Sequence, residues 1–288
     1  SADEISSEEA HQLICDVNRH FSNDVLAFYP GVSYRHCLLW KNGPLDLELT
    51  PPHDILDNEI APYLPKGPKA AILYQMMYES VQFLSSHPVN KSRVKRGLKP
   101  ANSIWIWGQG RKPAIPSFYS KYGLEGCVIS AVDLIKGLGL CAGMKSIDVE
   151  GATGNVHTNY AGKAAAALKA LEEGSDFVYI HIEAPDECGH RNEVANKVRS
   201  IELIDREIVG PLLDGLDKYD DYKIMILPDH PTPLSIRTHT SDPVPYVIYQ
   251  KSKAKQGNIK GYDEFLAQES GLFHMSGESL MSHFLDKC

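Results

Sequence analysis

The sequence predicts an α/β protein with a mostly parallel sheet and flanking helices, joined to a smaller α/β region. Residues 176–183 (DFVYIHIE) and 223–227 (KIMIL) are short β-rich runs, the stretch 193–216 between them is amphipathic, and loops rich in carboxylates and imidazoles follow both runs. Strand, helix and strand at this spacing read as a right-handed βαβ unit, which makes the two runs strands of one parallel sheet.

The other elements follow in order. Residues 7–21 alternate as an amphipathic helix, with Ser6 and Glu9 as a capping box. Residues 34–40 are strand-like and run into a turn at Asn42-Gly43. Residues 73–85 form a second helix; His87 and the basic run 91–99 read as a solvated loop leading to 103–107. There Trp105 and Trp107 alternate with Ile104 and Ile106, so one pair faces a core and the other an open face, in an order the sequence leaves undecided. The chain divides near residues 113–117, giving regions 1–113 and 114–288. In the second, residues 127–134, 146–149 and 244–249 join the two runs named above to supply the sheet. Gly151-Ala152-Thr153-Gly154 lacks the lysine of a phosphate loop and Gly108-Gln109-Gly110 lacks the dinucleotide fingerprint, so both are tight turns.

Composition narrows the class. A chain of 288 residues with 43% apolar and 23% charged residues can bury one large core or two smaller ones. A net charge of −8 argues against a general nucleic-acid binder. The six cysteines show no CxxC pairing and no apolar run is long enough to span a bilayer, which points to reduced thiols, no membrane and the cytoplasm.

Three segments carry chemistry: Asp186-Glu187-Cys188-Gly189-His190, Asp229-His230 and His239-Thr240. Each lies where a strand runs out into a loop, the edge at which open α/β sheets bind ligands. Carboxylate and imidazole suit hard-to-borderline divalent ions. If the segment after Glu183 turns helical, Asp186 and His190 fall at i and i+4 on one face and can hold a single ion. Asp229 and His230 are neighbours, so their side chains diverge and can reach around a second ion. Cys188 is the softer donor among harder neighbours and is read as a bystander.

The segments EAPDECGH, LPDHPTP and RTHTSDPVPYVIY, together with FYPGVSYRH, KYGLEG, EGATG and ESGLFHMSGESLMSHFL, resemble the cofactor-independent phosphoglycerate mutases of the archaeal type and their bacterial relatives, in the alkaline phosphatase superfamily. That resemblance implies an alkaline-phosphatase-like sheet domain (114–288) that binds metal and an inserted α/β cap (1–113) that binds substrate. It assigns Asp186, His190 and His239 to one ion and Asp229 and His230 to a second, with manganese or magnesium the expected metals and zinc a third candidate. The implied reaction interconverts 3- and 2-phosphoglycerate through a phosphoserine enzyme, with a small phosphorylated three-carbon acid as partner. The family's N-terminal Asp and its nucleophilic Ser or Thr have no match here, so the nucleophile is expected outside this chain, which by itself is expected to be inactive. Arg35 and His36 in SYRH, Arg111 in GQGRKP and Lys136 in DLIKG are the candidates for gripping phosphate and carboxylate. The alternatives are a homoserine kinase-like or phosphonopyruvate decarboxylase-like acceptor chemistry at the same site, or a non-catalytic fragment.

Overall fold

A computed structural model describes residues 1–55, 58–255 and 260–285. It comprises two compact units, Ser1–Lys112 and Pro113–Cys288.

In the first unit, helix α1 (Ser7–Phe21) begins where the Glu9 N–H donates to the Ser6 hydroxyl at 3.2 Å. Only half of the expected capping box is made. The Glu9 carboxylate is engaged by Arg93 and Arg96, because a charge-assisted pair with guanidinium outweighs a neutral N–H contact. Ala10, Leu13, Ile14 and Val17 recur at helical spacing and bury their side chains with Leu26 and Phe28 of strand β1 (Leu26–Pro30). Strand β2 (His36–Trp40) pairs antiparallel with β1, Phe28 opposite Leu38. Helix α2 (Ala70–Leu84) closes the same core with Leu73, Met76 and Leu84. Each such side chain contributes about 1.5–3 kcal/mol on full burial. Ile104 and Ile106 pack against this core, whereas Trp107 is exposed and Trp105 Nε1 donates to the Thr50 carbonyl at 2.8 Å. The isoleucines are thus the inner pair.

The first part of the basic run is not a loop. Residues Pro88–Lys95 form helix α3, with Pro88 pre-set for the first helical position and the His87 imidazole accepting the Val89 N–H. One of its charges turns inward. Arg93 is 2% exposed, and it donates to the carbonyls of Lys99 and Ala2 as well as to Glu9. A run counted as basic by composition therefore contains a core residue.

In the second unit, strand β3 (Gly126–Ile129) is buried throughout and lies between β4 (Lys145–Ile147) and β5 (Phe177–Ile180), all parallel. The expected strand 127–134 stops at Ile129 because helix α5 (Asp133–Cys141) starts three residues after Ser130. Helix α4 (Phe118–Tyr122) precedes β3, and helix α6 (Tyr160–Glu172) leads into β5. Helix α7 (Ala184–His190) follows β5 and is anchored by Ala184, fully buried with Tyr160, Ala164, Leu203 and Ile208. Helix α8 (Val194–Ile204) continues through a π-helical stretch, Asp205–Val209, into α9 (Gly210–Leu216). Pro211 cannot donate in the regular ladder, which favours the wider turn just before it.

The βαβ expectation is corrected here. Strand β6 (Lys223–Ile226) pairs antiparallel with β7 (Val247–Gln250), Met225 opposite Ile248, and among the described residues β5 pairs with β3 alone. A local β pattern specifies a strand but not its neighbour, because pairing is decided by long-range geometry. Phe118, Phe177 and Phe284, the last from helix α10 (Gly277–Leu285), form a further core against which Met225 and Ile248 pack. Among the described residues no helix is long and apolar enough to cross a membrane. Five cysteines are free, and Cys288 lies outside the described residues.

Candidate metal centre

The carboxyl edge of the parallel sheet collects polar side chains. Ser130 follows β3, Asp148 follows β4 and His181 follows β5. The Ser130 hydroxyl lies 3.2 Å from His181 Nδ1 and accepts the Val132 N–H at 2.9 Å. Burial lowers the pKa of His181, which favours the neutral ring. Beneath this edge Lys163, 1% exposed, reaches the His181 carbonyl at 3.3 Å. Burial pulls its pKa down to about 8, against the attraction of Glu183.

Helix α7 carries the first ligand candidates one turn apart. The N–H groups of Asp186 and Glu187 donate to the Glu183 carbonyl, which starts the helix immediately after the strand. Asp186 and His190 then share a face, with His190 Nε2 3.3 Å from Asp186 Oδ2. His239 arrives from the loop after β6, its Nε2 3.3 Å from Asp186 Oδ1 and 3.0 Å from His190 Nε2. One ligand atom from each of the three lies within 4.8 Å of the others. His190 Nδ1 is 2.9 Å from the Arg237 carbonyl, which can only accept, so Nδ1 carries the proton and the Nε2 lone pair faces inward.

This donor set fits a divalent ion. Ligand atoms about 2.1 Å from a shared ion sit roughly 3.0–3.4 Å from one another in octahedral or tetrahedral arrangements. The His190–His239 separation falls in that band, and each imidazole meets one oxygen of the Asp186 carboxylate at 3.3 Å, His190 facing Oδ2 and His239 facing Oδ1. Two imidazole lone pairs brought to 3.0 Å repel unless a proton or a cation lies between them. Cys188, buried on the same helix, has its thiol pushed up by burial and remains protonated.

The remaining candidates are placed as follows. The His230 ring lies tilted against His239 with centroids 3.9 Å apart, so the second pair adjoins the triad. Asp229 is exposed, its Oδ2 3.4 Å from His230 Nε2. Lys136, on α5, pairs with Asp148 at 2.6 Å. Arg35, His36 and Arg111 belong to the first unit. The Arg35 guanidinium lies 4.9 Å from the Tyr34 ring centroid, His36 Nδ1 accepts the Gly31 N–H, and Arg111 is exposed.

Sequence reasoning missed the residues that hold the ligands. The Thr232 hydroxyl donates to Asp186 Oδ1, and the Thr232 carbonyl accepts from Lys197 Nζ at 2.7 Å. Gly189 lets α7 approach the loop that carries Thr232: a Cβ there would stand 2.6 Å from the Thr232 carbonyl oxygen. Signals existed. Thr232 lies two residues after His230, and Lys163 occupies the apolar face of α6 marked by Tyr160, Ala164 and Ala167.

Comparison with known proteins agrees with this geometry. Residues 7–287 match the family model described as the metalloenzyme superfamily. The chain is 46% identical over its full length to a protein of Geobacter sulfurreducens named as a probable 2,3-bisphosphoglycerate-independent phosphoglycerate mutase, and spans 72% of it. It is 48% identical over 98% of its length to the mutase of that name from Methanothrix thermoacetophila, and spans 71% of that protein. The chain belongs to the 2,3-bisphosphoglycerate-independent phosphoglycerate mutase family. Among solved structures it is similar to a protein of Pyrococcus horikoshii, with TM-score 0.72 at 26% identity, covering 93% of this chain and 66% of that one. A cofactor-independent phosphoglycerate mutase from Thermoplasma acidophilum gives TM-score 0.54 at 25% identity, covering 96% of this chain and 69% of that one. The fold of this mutase family is alkaline-phosphatase-like, and its chemistry is metal-dependent interconversion of phosphoglycerates.

Proposed function

We propose that this chain provides the metal-binding domain and the substrate cap of an enzyme that interconverts 3- and 2-phosphoglycerate. The observation that carries the reading is the convergence of Asp186, His190 and His239 on one point, with His190's lone pair aimed there by the Arg237 carbonyl. Asp186, His190 and His239 hold one divalent ion, and Asp229 and His230 contribute to a second. Oxygen and nitrogen donors without thiolate favour manganese or magnesium. Ions so held neutralise charge on a phosphoryl group and lower the pKa of a coordinated hydroxyl.

The chain's own side chains supply the surrounding control. Lys136 offers a point charge to a phosphate or carboxylate; its present partner Asp148 is 85% exposed, so the pair is weak enough to exchange for substrate. Unit Ser1–Lys112 acts as the cap, with Arg35, His36 and Arg111 gripping the three-carbon acid while it reorients. The nucleophilic hydroxyl is not assigned to any residue of this chain. A phosphorylated three-carbon acid as substrate supports a cytoplasmic location.

The test is isomerisation of 3-phosphoglycerate by the whole gene product, loaded with manganese, beside a control with ATP and homoserine. Isomerisation without phosphate transfer to homoserine is expected. Transfer to homoserine with no isomerisation overturns the reading. For the cap, Arg35→Met should raise the ratio of phosphate released to phosphoglycerate isomerised, by up to about thirtyfold if a charge-assisted contact worth ~2 kcal/mol is lost.

A further inference from the structure

Thr232 touches both ligand sets. Its side chain is 4% exposed, its hydroxyl donates to Asp186 Oδ1, and the same oxygen lies 3.4 Å from His230 Nδ1. Its backbone is fixed from two other sides: Lys197 holds the carbonyl, and Gly189 packs against that carbonyl and the γ-methyl with no room for a side chain.

The proton inventory gives this contact a direction. A threonine hydroxyl has one proton and two lone pairs, while an ionised carboxylate only accepts. The hydroxyl proton therefore goes to Asp186, and a lone pair faces His230 Nδ1. Nδ1–H makes that approach attractive; the rival acceptor, Asp229 Oδ2 at 3.4 Å from Nε2, belongs to an exposed, solvent-screened carboxylate, whereas the Thr232 hydroxyl is buried. His230 must then present its lone pair at Nε2, as the Arg237 carbonyl enforces for His190 on the other side of the centre.

We propose that Thr232 is a positioning residue that sets both ligand groups with one hydroxyl, through the chain His230 Nδ1–H to Thr232 Oγ1–H to Asp186 Oδ1. It fixes the plane of the Asp186 carboxylate and the tautomer of His230 together. A packing role alone would need the methyl group and the shape of the residue but not the hydroxyl. The inference rests on the metal reading above for its consequence, but not for the tautomer it specifies.

Three measurements on the full chain test it. Manganese affinity by titration calorimetry should fall about 10–100-fold in Thr232→Val, the range for removing a hydrogen bond behind a ligand. Thr232→Ser, which keeps the hydroxyl and drops the methyl, should bind close to wild type. Nitrogen-15 NMR of the histidine rings in the metal-free wild-type chain should show His230 as the Nδ1–H tautomer, a preference lost in Thr232→Val. Wild-type affinity in the valine variant, equal weakness of the serine and valine variants, or an Nε2–H tautomer at His230 each overturn the proposal. If the valine variant does not fold, the serine variant and the wild-type tautomer decide. If the wild-type chain takes up no manganese, the metal reading fails, and the tautomer alone decides on Thr232.

Discussion

Arg93 in the first unit and the Asp186, His190 and His239 triad in the second both concentrate polar groups, with opposite outcomes. The Arg93 guanidinium is buried, and its donors are taken up by Glu9 and by the carbonyls of Lys99 and Ala2. Each of its three nitrogens already has a protein partner. In the triad, carboxylate and imidazole ligand atoms face one another at 3.0–3.3 Å, and backbone and side-chain partners orient His190 and Asp186 from behind. A closed network secures a fold, whereas an inward-facing set of lone pairs asks for a cation. The difference lies in which atoms remain unspent.

The largest effect expected on this contrast comes from the open set. Asp186→Ala, His190→Ala or His239→Ala should each remove the triad's ion and lower turnover of the whole gene product by at least about 100-fold. Thermal unfolding of the metal-free chain should change little, because the site is at a loop edge. Elemental analysis and activity measure the first effect, and calorimetry the second. A variant that keeps its metal and its rate would mean these side chains are not ligands.

The closed set should respond in the reverse sense. Glu9→Gln leaves a buried guanidinium without its carboxylate, at a cost of about 3–5 kcal/mol in stability. Manganese affinity should be unchanged. Urea unfolding beside metal titration reads both, and an unaltered urea midpoint would show that the two carbonyls suffice for Arg93.

The same contrast explains what could be read from sequence. The α/β class, helices α1 and α2, and the i, i+4 placement of Asp186 and His190 follow from local periodicity and spacing. The separation of β5 from β6, the half-made cap at Ser6 and the inward turn of Arg93 do not, since each depends on a partner tens of residues away. At the site, residues with ligand chemistry stood out as types, but Thr232, Lys197 and Gly189 act through a hydroxyl, a backbone carbonyl and the absence of a side chain. None of these is distinctive in sequence. Lys163 was legible in principle as a charge on an apolar face, a pattern that a count of charges conceals.

Lys163 sharpens the comparison through pH. Unlike Arg93 it has one long hydrogen bond, to the His181 carbonyl, and burial lowers its pKa from 10.5 to about 8. The folded chain therefore releases this proton near pH 8 while the unfolded chain keeps it until about 10.5, so stability from this group rises with pH between the two. It is fully present above the unfolded value and is lost as pH falls through the folded one. At about pH 7 the buried ammonium costs up to ~3 kcal/mol, and Lys163→Met should be more stable than wild type by some part of that. The advantage should shrink as the buffer approaches about pH 10. Urea midpoints of the two proteins across this range provide the check, since other titrating groups cancel in the difference. An advantage independent of pH would show that the ammonium is not the destabilising species.

The smallest effect expected is at Gly189, where packing and site meet. A Cβ at this position would lie 2.6 Å from the Thr232 carbonyl oxygen and 2.9 Å from its γ-methyl carbon, so α7 or the Thr232 loop must move in Gly189→Ala. Overpacking of this kind costs about 1–3 kcal/mol, partly offset by the better helix propensity of alanine, worth about 1 kcal/mol. Net destabilisation should be modest. The displacement also pulls Thr232 away from Asp186, so manganese affinity should fall by more than the loss of stability implies. Measuring both in one variant separates the two contributions: a stability loss with full metal affinity would show that the triad tolerates movement of α7, and that its geometry is set within the helix and the His239 loop alone.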